Sequence, residues 1–270
     1  PIQSGLCKML MIGLGKHRGA IAFHPAFQSM DYRLDTITGD VIPMIIEKTP
    51  LLLGIGLVED AFDQIGAIEV VPADQLLTRE PALFERATEW MPKLPFEQAE
   101  FLIVDEIGKE ISGTGLDTNV VGRKWHDKLA GPDEWPKIDQ IYVRSLTNQT
   151  AGNASGIGIS EYTHQRVIEQ IDHSKTRINC ITAGHPTAAA IPVWFDSDRD
   201  VLEAVCAQAP MPADDRRWIR IRNTLDLASV QCSSSYADEI RERTDLEVSN
   251  PTAAIRFDQA GDFEQSSLPG

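Results

Sequence analysis

Residues 100–105 read Glu-Phe-Leu-Ile-Val-Asp, four consecutive apolar side chains closed at each end by a carboxylate. A short apolar run without polar alternation reads as a strand buried on both faces, the pattern of a parallel sheet, whose strands end at the edge where α/β proteins gather polar groups. Working outward, residues 138–146 read as a second strand, 161–171 as a helix and 177–182 as a third strand. Residues 198–208 carry helical spacing, and 218–221 form an apolar alternation. This alternating order predicts an α/β fold with a mostly parallel sheet.

Upstream, residues 8–15 read as a short buried strand entering a glycine turn, and 19–27 as a helix interrupted near Pro25. Residues 51–58 and 67–71 read as strands, and 73–91 as an amphipathic helix with Leu76, Leu77, Leu83, Phe84 and Ala87 on one face. Pro92 and Pro95 stop that helix and predict a hinge. The expected organisation is two α/β domains, residues 1–92 and 93–257, with a cleft between them. The polar residues 258–270 are expected to fray as a tail.

Charge narrows the function classes. The 270 residues hold 40 acidic against 25 basic side chains, a formal charge of -15. Phosphodiester backbones and anionic membranes are repelled by such a chain, so neither nucleic acid nor membrane is an expected partner. A small anion can still bind through a local basic cluster. Cys7, Cys180, Cys206 and Cys232 are far apart and form no C-x-x-C pair, which argues against a zinc site or a disulfide framework and for a reducing cytoplasm. No apolar run approaches the ~20 residues of a membrane span.

Three stretches could carry chemistry. In KMLMIGLGKHRGAIAFH (residues 8–24), Lys8 and His24 flank a glycine-punctuated apolar run and could face one pocket. The plainer reading is a solvated lysine and a packing histidine. In DEIGKEISGTGLDTNVVGR (residues 105–123), both charge signs are mixed with glycines after a buried strand, as in loops that line sites. In GNASGIG (residues 152–158), free N–H groups between strand and helix could hold a phosphate, although a tight turn explains the glycines as well. His164, His173 and His185 are too scattered in sequence to define a metal site.

Residues 4–24 (SGLCKMLMIGLGKHRGAIAFH), 101–123 (FLIVDEIGKEISGTGLDTNVVGR) and 146–158 (LTNQTAGNASGIG) together resemble a divergent branch of the nickel-dependent lactate racemase family. The resemblance runs roughly from Ser4 to Asn223. It implies that Lys8 carries a nickel pincer nucleotide, a nicotinate-derived group linked to the lysine as a thioamide and gripping nickel through two sulfurs and a ring carbon. It implies His24 as the fourth nickel ligand, because the two residues stand at the separation of the family's lysine and histidine. Imidazole suits a square-planar nickel position.

The family's reaction inverts a hydroxyl-bearing carbon: the cofactor ring takes up hydride while a histidine removes the hydroxyl proton. The implied activity is that of a racemase or epimerase of a 2-hydroxy acid. The family's proton-shuttling histidines lie upstream of the lysine, so the catalytic residues are not assigned here. The chain reads as truncated at its N-terminus, and no turnover is expected unless a missing segment or companion chain supplies the rest.

In the family, a loop in the second domain carries a tyrosine, a glutamine and a lysine that orient the substrate carboxylate. The corresponding residues 115–124 read GLDTNVVGRK. Asp117 and Asn119 match and are expected to bind substrate, whereas the tyrosine and glutamine positions differ. Arg123 is expected to take over the carboxylate through a bidentate pair, which points away from lactate toward another 2-hydroxy acid. The alternative is a non-catalytic relative that keeps the fold and binds a metabolite or partner.

Overall fold

A computed structural model describes residues 5–28, 34–62, 64–208, 212, 215–249 and 255–264. Its contacts divide the chain into two units, Pro1–Pro92 with Ile178–Pro186, and Lys93–Arg177 with Thr187–Gly270. The class is α/β, with a mixed and mostly parallel sheet. Among the described residues, no helix is long and apolar enough to cross a membrane.

The first unit opens with α1 (Leu6–Lys8), which runs directly into a π-helical turn (Met9–Gly13) and then α2 (Lys16–Gln28). Residues 8–13 are therefore helical, not the expected strand, and the glycine turn follows at residues 14 and 15. Met and Leu are strong helix formers, and Cys7 and Met11, four positions apart, are the residues that become buried. An apolar run this short does not reveal its period. The helix α2 also continues through Pro25, because one proline removes a single backbone bond and need not end a helix.

Next come α3 (Leu34–Lys48) and an antiparallel pair, β1 (Leu53–Glu59) and β2 (Ile65–Pro72), followed by α4 (Leu76–Trp90). Cys7, Met11, Ile42, Val58, Val71, Leu76 and Leu83 form the unit's core.

The second unit contains β3 (Gln98–Val104), β4 (Lys137–Val143), β5 (Tyr162–His164), α5 (Gln165–Gln170), and β6 (Val193–Phe195), with α6 (His173–Thr182) lying between the last two in sequence. Then follow α7 (Asp198–Gln208), β7 (Trp218–Ile221), β8 (Gln231–Cys232) and α8 (Ala237–Glu242). The sheet order is β6-β5-β4-β3-β7-β8, parallel except for the β7–β8 pair. The chain starts in the interior at β3, moves outward through β4, β5 and β6, and returns to the other side of β3 as β7. That reversal is a topological switch point.

Two expectations fail here. Residues 161–171 begin with strand β5 before the helix, since Tyr162 and Thr163 favour extended backbone and are buried between β4 and β6. Residues 177–182 are helical in α6: Thr176 and Cys180 are buried at a spacing of four, while Ile178 and Ile181 are exposed. Apolar β-branched residues there suggest a strand that the burial period overrides.

The crossover from β3 to β4, residues 105–136, contains no helix. It is held by its own bonds, Gly108 N to Gly115 O (3.0 Å) and Arg123 N to Thr118 O (2.8 Å), and it buries Leu116, Val120 and Val121 against Val104 and Val143. Residues 255–264 are also fixed, contrary to the expected frayed tail. Phe257 pairs with Phe263, and Phe263 joins the core on the α7 side of the sheet. Two aromatic rings outweigh the local polarity, and residues 265–270 lie outside the described part.

Candidate functional site

Lys8 ends α1 and is half-buried; burial holds its ammonium below the ordinary lysine value. Its neighbour Cys7 is buried, and the Cys7 N–H donates to Glu80 Oε2 at 2.9 Å, so a carboxylate from α4 caps this helix. Burial, and next the bonded Glu80 carboxylate, push the Cys7 thiol up, which makes it an inert packing group rather than a nucleophile.

The π turn begins immediately after Lys8, marked by Leu14 N donating to Met9 O across five residues at 2.8 Å. Such turns are rare and concentrate at functional sites. A Cβ on Gly19 would stand 2.5 Å from Met11 O, so α2 packs directly on the turn's backbone. His24 lies on α2, five residues beyond that contact, and is half-buried. The glycines at 13, 15 and 19 are filled by Met9 and by the Met11 carbonyl, so they serve helix packing and do not clear space for a flat ring.

The three residues expected to bind substrate behave differently from one another. Asn119 N and Nδ2 both donate to Asp117 Oδ1, at 2.8 and 2.9 Å, and Asp117 N–H contacts Thr224 Oγ1 at 2.9 Å. Asp117 and Asn119 are thus brought together as a side-chain-closed turn. Arg123 points elsewhere. Its guanidinium is fully buried and donates through Nη2 to Ile138 O (2.8 Å) and Asp139 O (3.2 Å), with Glu161 3.6 Å away. Burial depresses it more than Glu161, Asp139 and Asp127 raise it. A side chain enclosed under β4 cannot meet a substrate carboxylate, so that assignment is withdrawn.

The glycine-rich loop at residues 152–158 is equally closed. Asn153, Ala154, Ser155, Gly156 and Ile157 already donate their N–H groups to Thr150 O, Thr176 Oγ1, Asn153 Oδ1, Ala188 O and Ala154 O. These five N–H groups are engaged within the protein, as in a tight turn.

The densest polar constellation lies at the carboxyl edge of the parallel strands. Asp105, one residue past β3, accepts from Arg144 Nη1 (2.6 Å) and Arg220 Nε (3.0 Å). Arg144, one residue past β4, also grips the fully buried Asp198, which accepts in addition from Tyr142 Oη (2.6 Å) and Phe263 N (2.8 Å). Burial opposes both charges, but the pairing wins: Arg144 is held above its ordinary value and Asp198 below its own. Tyr142 is pushed up by burial and by that carboxylate, so it stays a neutral donor.

At the next strand, His164 Nδ1 accepts from Arg166 N (3.1 Å), and Nε2 lies 2.9 Å from Asp262 Oδ1 and 2.6 Å from Arg166 Nη2. Arg166 Nη2 reaches Asp262 Oδ2 at 2.5 Å. The Phe263 ring meets two guanidiniums, 4.7 Å from Arg144 and 4.8 Å from Arg220.

His164, Asp198 and Asp262 stand close enough to share a cation. Arg144 and Arg166 already neutralise those carboxylates, and the bonds above consume the ligand atoms. This edge is a charge-balanced lock that joins strands β3, β4, β5 and β7 to α7 and the 255–264 segment. Sequence reasoning noted Asp105 but missed Arg144, which follows its strand in IYVR as Asp105 follows LIVD. No protein-family model, curated protein or solved structure matches the chain.

Proposed function

We propose that the chain acts in the racemisation or epimerisation of a 2-hydroxy acid, working in a reducing cytoplasm with Lys8 as the attachment point of a nickel pincer nucleotide and His24 as a nickel ligand. The observation that carries this reading is the half-buried Lys8 at the start of a π turn, with its ammonium disfavoured by burial, sixteen positions before a half-buried histidine on the helix packed against that turn.

The donor chemistry fits the group. A lysine that burial moves toward the neutral amine loses little by becoming an amide-type link, whereas a fully solvated ammonium gives up its hydration. A neutral imidazole supplies one nitrogen lone pair, and its second ring nitrogen can hold it in place through a hydrogen bond. Glu80, capping α1 from α4, fixes the backbone that carries Lys8. When bound, the cofactor supplies reversible hydride acceptance from the hydroxyl-bearing carbon. The protein's task is to hold it rigidly and to keep Lys8 and His24 in place.

Nickel content tests the reading. The chain isolated from cells that make the cofactor should carry stoichiometric nickel. Lys8→Ala should abolish retention, and His24→Ala should weaken it at least tenfold while the covalent adduct remains. Equal nickel in the wild type and both variants would overturn the assignment. A chain from the same cells with neither adduct nor nickel would point to the non-catalytic binder.

A further inference from the structure

The β1–β2 hairpin is built inside out. On a sheet with one covered face, the large apolar residues belong on that face. Here the inward side of β1 is Gly54, Gly56 and Val58, and the covering residues come from helices: a Cβ on Gly54 would stand 2.9 Å from Leu6 Cδ1, and one on Gly56 2.7 Å from Leu83 Cδ1. The outward side carries Leu53, Ile55 and Leu57, set by the register opposite or beside Val70, Ile68 and Ile65. All six are exposed, from 45% for Leu53 to 65% for Ile68. The one charge on this side of the strands is Glu59, at the end of β1.

We propose that this outward face is an interface between two copies of the chain. Six aliphatic side chains, each about half exposed, give a contiguous apolar patch of roughly 600 Å², the upper end of what a soluble monomer displays. Two such patches closed together remove roughly 1,200 Å², the lower limit of a specific interface. The occupant must be largely apolar, because the face presents six aliphatic side chains and its one charge, Glu59, stands at the end of β1. A second copy meets that requirement and is self-complementary about a two-fold axis. Each copy carries a formal charge of -15, so copies repel in general, and this face, whose one charge is Glu59 at the end of β1, is where they can meet with little opposition of like charges. The inference is independent of any cofactor.

Sedimentation equilibrium of the intact chain over a wide concentration range tests it. The wild type is expected to be a dimer that high salt does not dissociate, whereas Ile55→Lys combined with Ile68→Lys should be monomeric with an unchanged far-ultraviolet circular dichroism spectrum. Leu57→Ser, a milder change on the same face, should weaken the dimer at least tenfold without altering the fold. A monomeric wild type at all concentrations overturns the proposal, as does a dimer that both variants leave intact.

Discussion

Arg144 grips Asp198 with two parallel bonds, Nε to Oδ1 at 2.9 Å and Nη2 to Oδ2 at 2.6 Å, and the carboxylate they hold is fully buried. The pair joins the end of β4 to the start of α7, and Phe263 N and Tyr142 Oη occupy the remaining acceptor directions. Removing one partner of such a pair leaves the other charge buried and uncompensated.

Asp198→Asn is therefore expected to cost about 3–5 kcal/mol of stability near neutral pH, read as a lower urea midpoint. The pH dependence has a definite sign. Asp198 is depressed in the folded state, so its contribution is present above the unfolded carboxylate value, about 4, and is lost as pH falls through the lower folded value. The gap between wild type and variant should narrow as the pH drops below that window. A gap independent of pH would mean that the charge is not what holds α7.

Arg123 gives a second test, because its sequence context suggests a substrate contact and its surroundings indicate a structural one. Arg123→Lys should lower stability by about 3 kcal/mol, since one ammonium cannot reach the carbonyls of Ile138 and Asp139 together with Glu161. Added 2-hydroxy acid should shift the unfolding midpoint of the wild type and the variant equally. A shift confined to the wild type would return Arg123 to the substrate.

The segment at 255–264 should behave as part of the core. Phe263→Ala removes a buried ring that also meets Arg144 and Arg220, and is expected to cost about 3 kcal/mol. Limited proteolysis should leave this segment uncut in the wild type and cut it early in the variant. Early cleavage in both would show a loose tail.

These cases show what a sequence makes legible. The strand at Gln98–Val104 is visible because a buried parallel strand is a continuous apolar run with a carboxylate at its end, and Asp198–Gln208 because its helical period is long enough to register. Residues 8–13 are too few to distinguish one period from another, and their helical state depends on Cys7 and Met11 packing into a core completed by Val58, Val71 and Leu83. The lock at the sheet edge leaves no local trace: His164 and Asp262 meet across 98 positions, and Asp105 and Arg220 across 115. Arg123 looks available in a glycine-rich loop, and only the path of β4 above it shows where its guanidinium goes. In the hairpin, both strands are readable but the direction of their faces is not, because the glycines face inward only once Leu6 and Leu83 fill the space.

The covalent state of Lys8 tests the central claim most directly. Intact-mass measurement of the chain purified from cells that make the cofactor, followed by peptide mapping, is predicted to show an added nicotinate-derived mononucleotide on the peptide containing Lys8 and none on Lys8→Ala. An unmodified Lys8 peptide, with wild type and variant differing only by the substitution itself, would contradict the account.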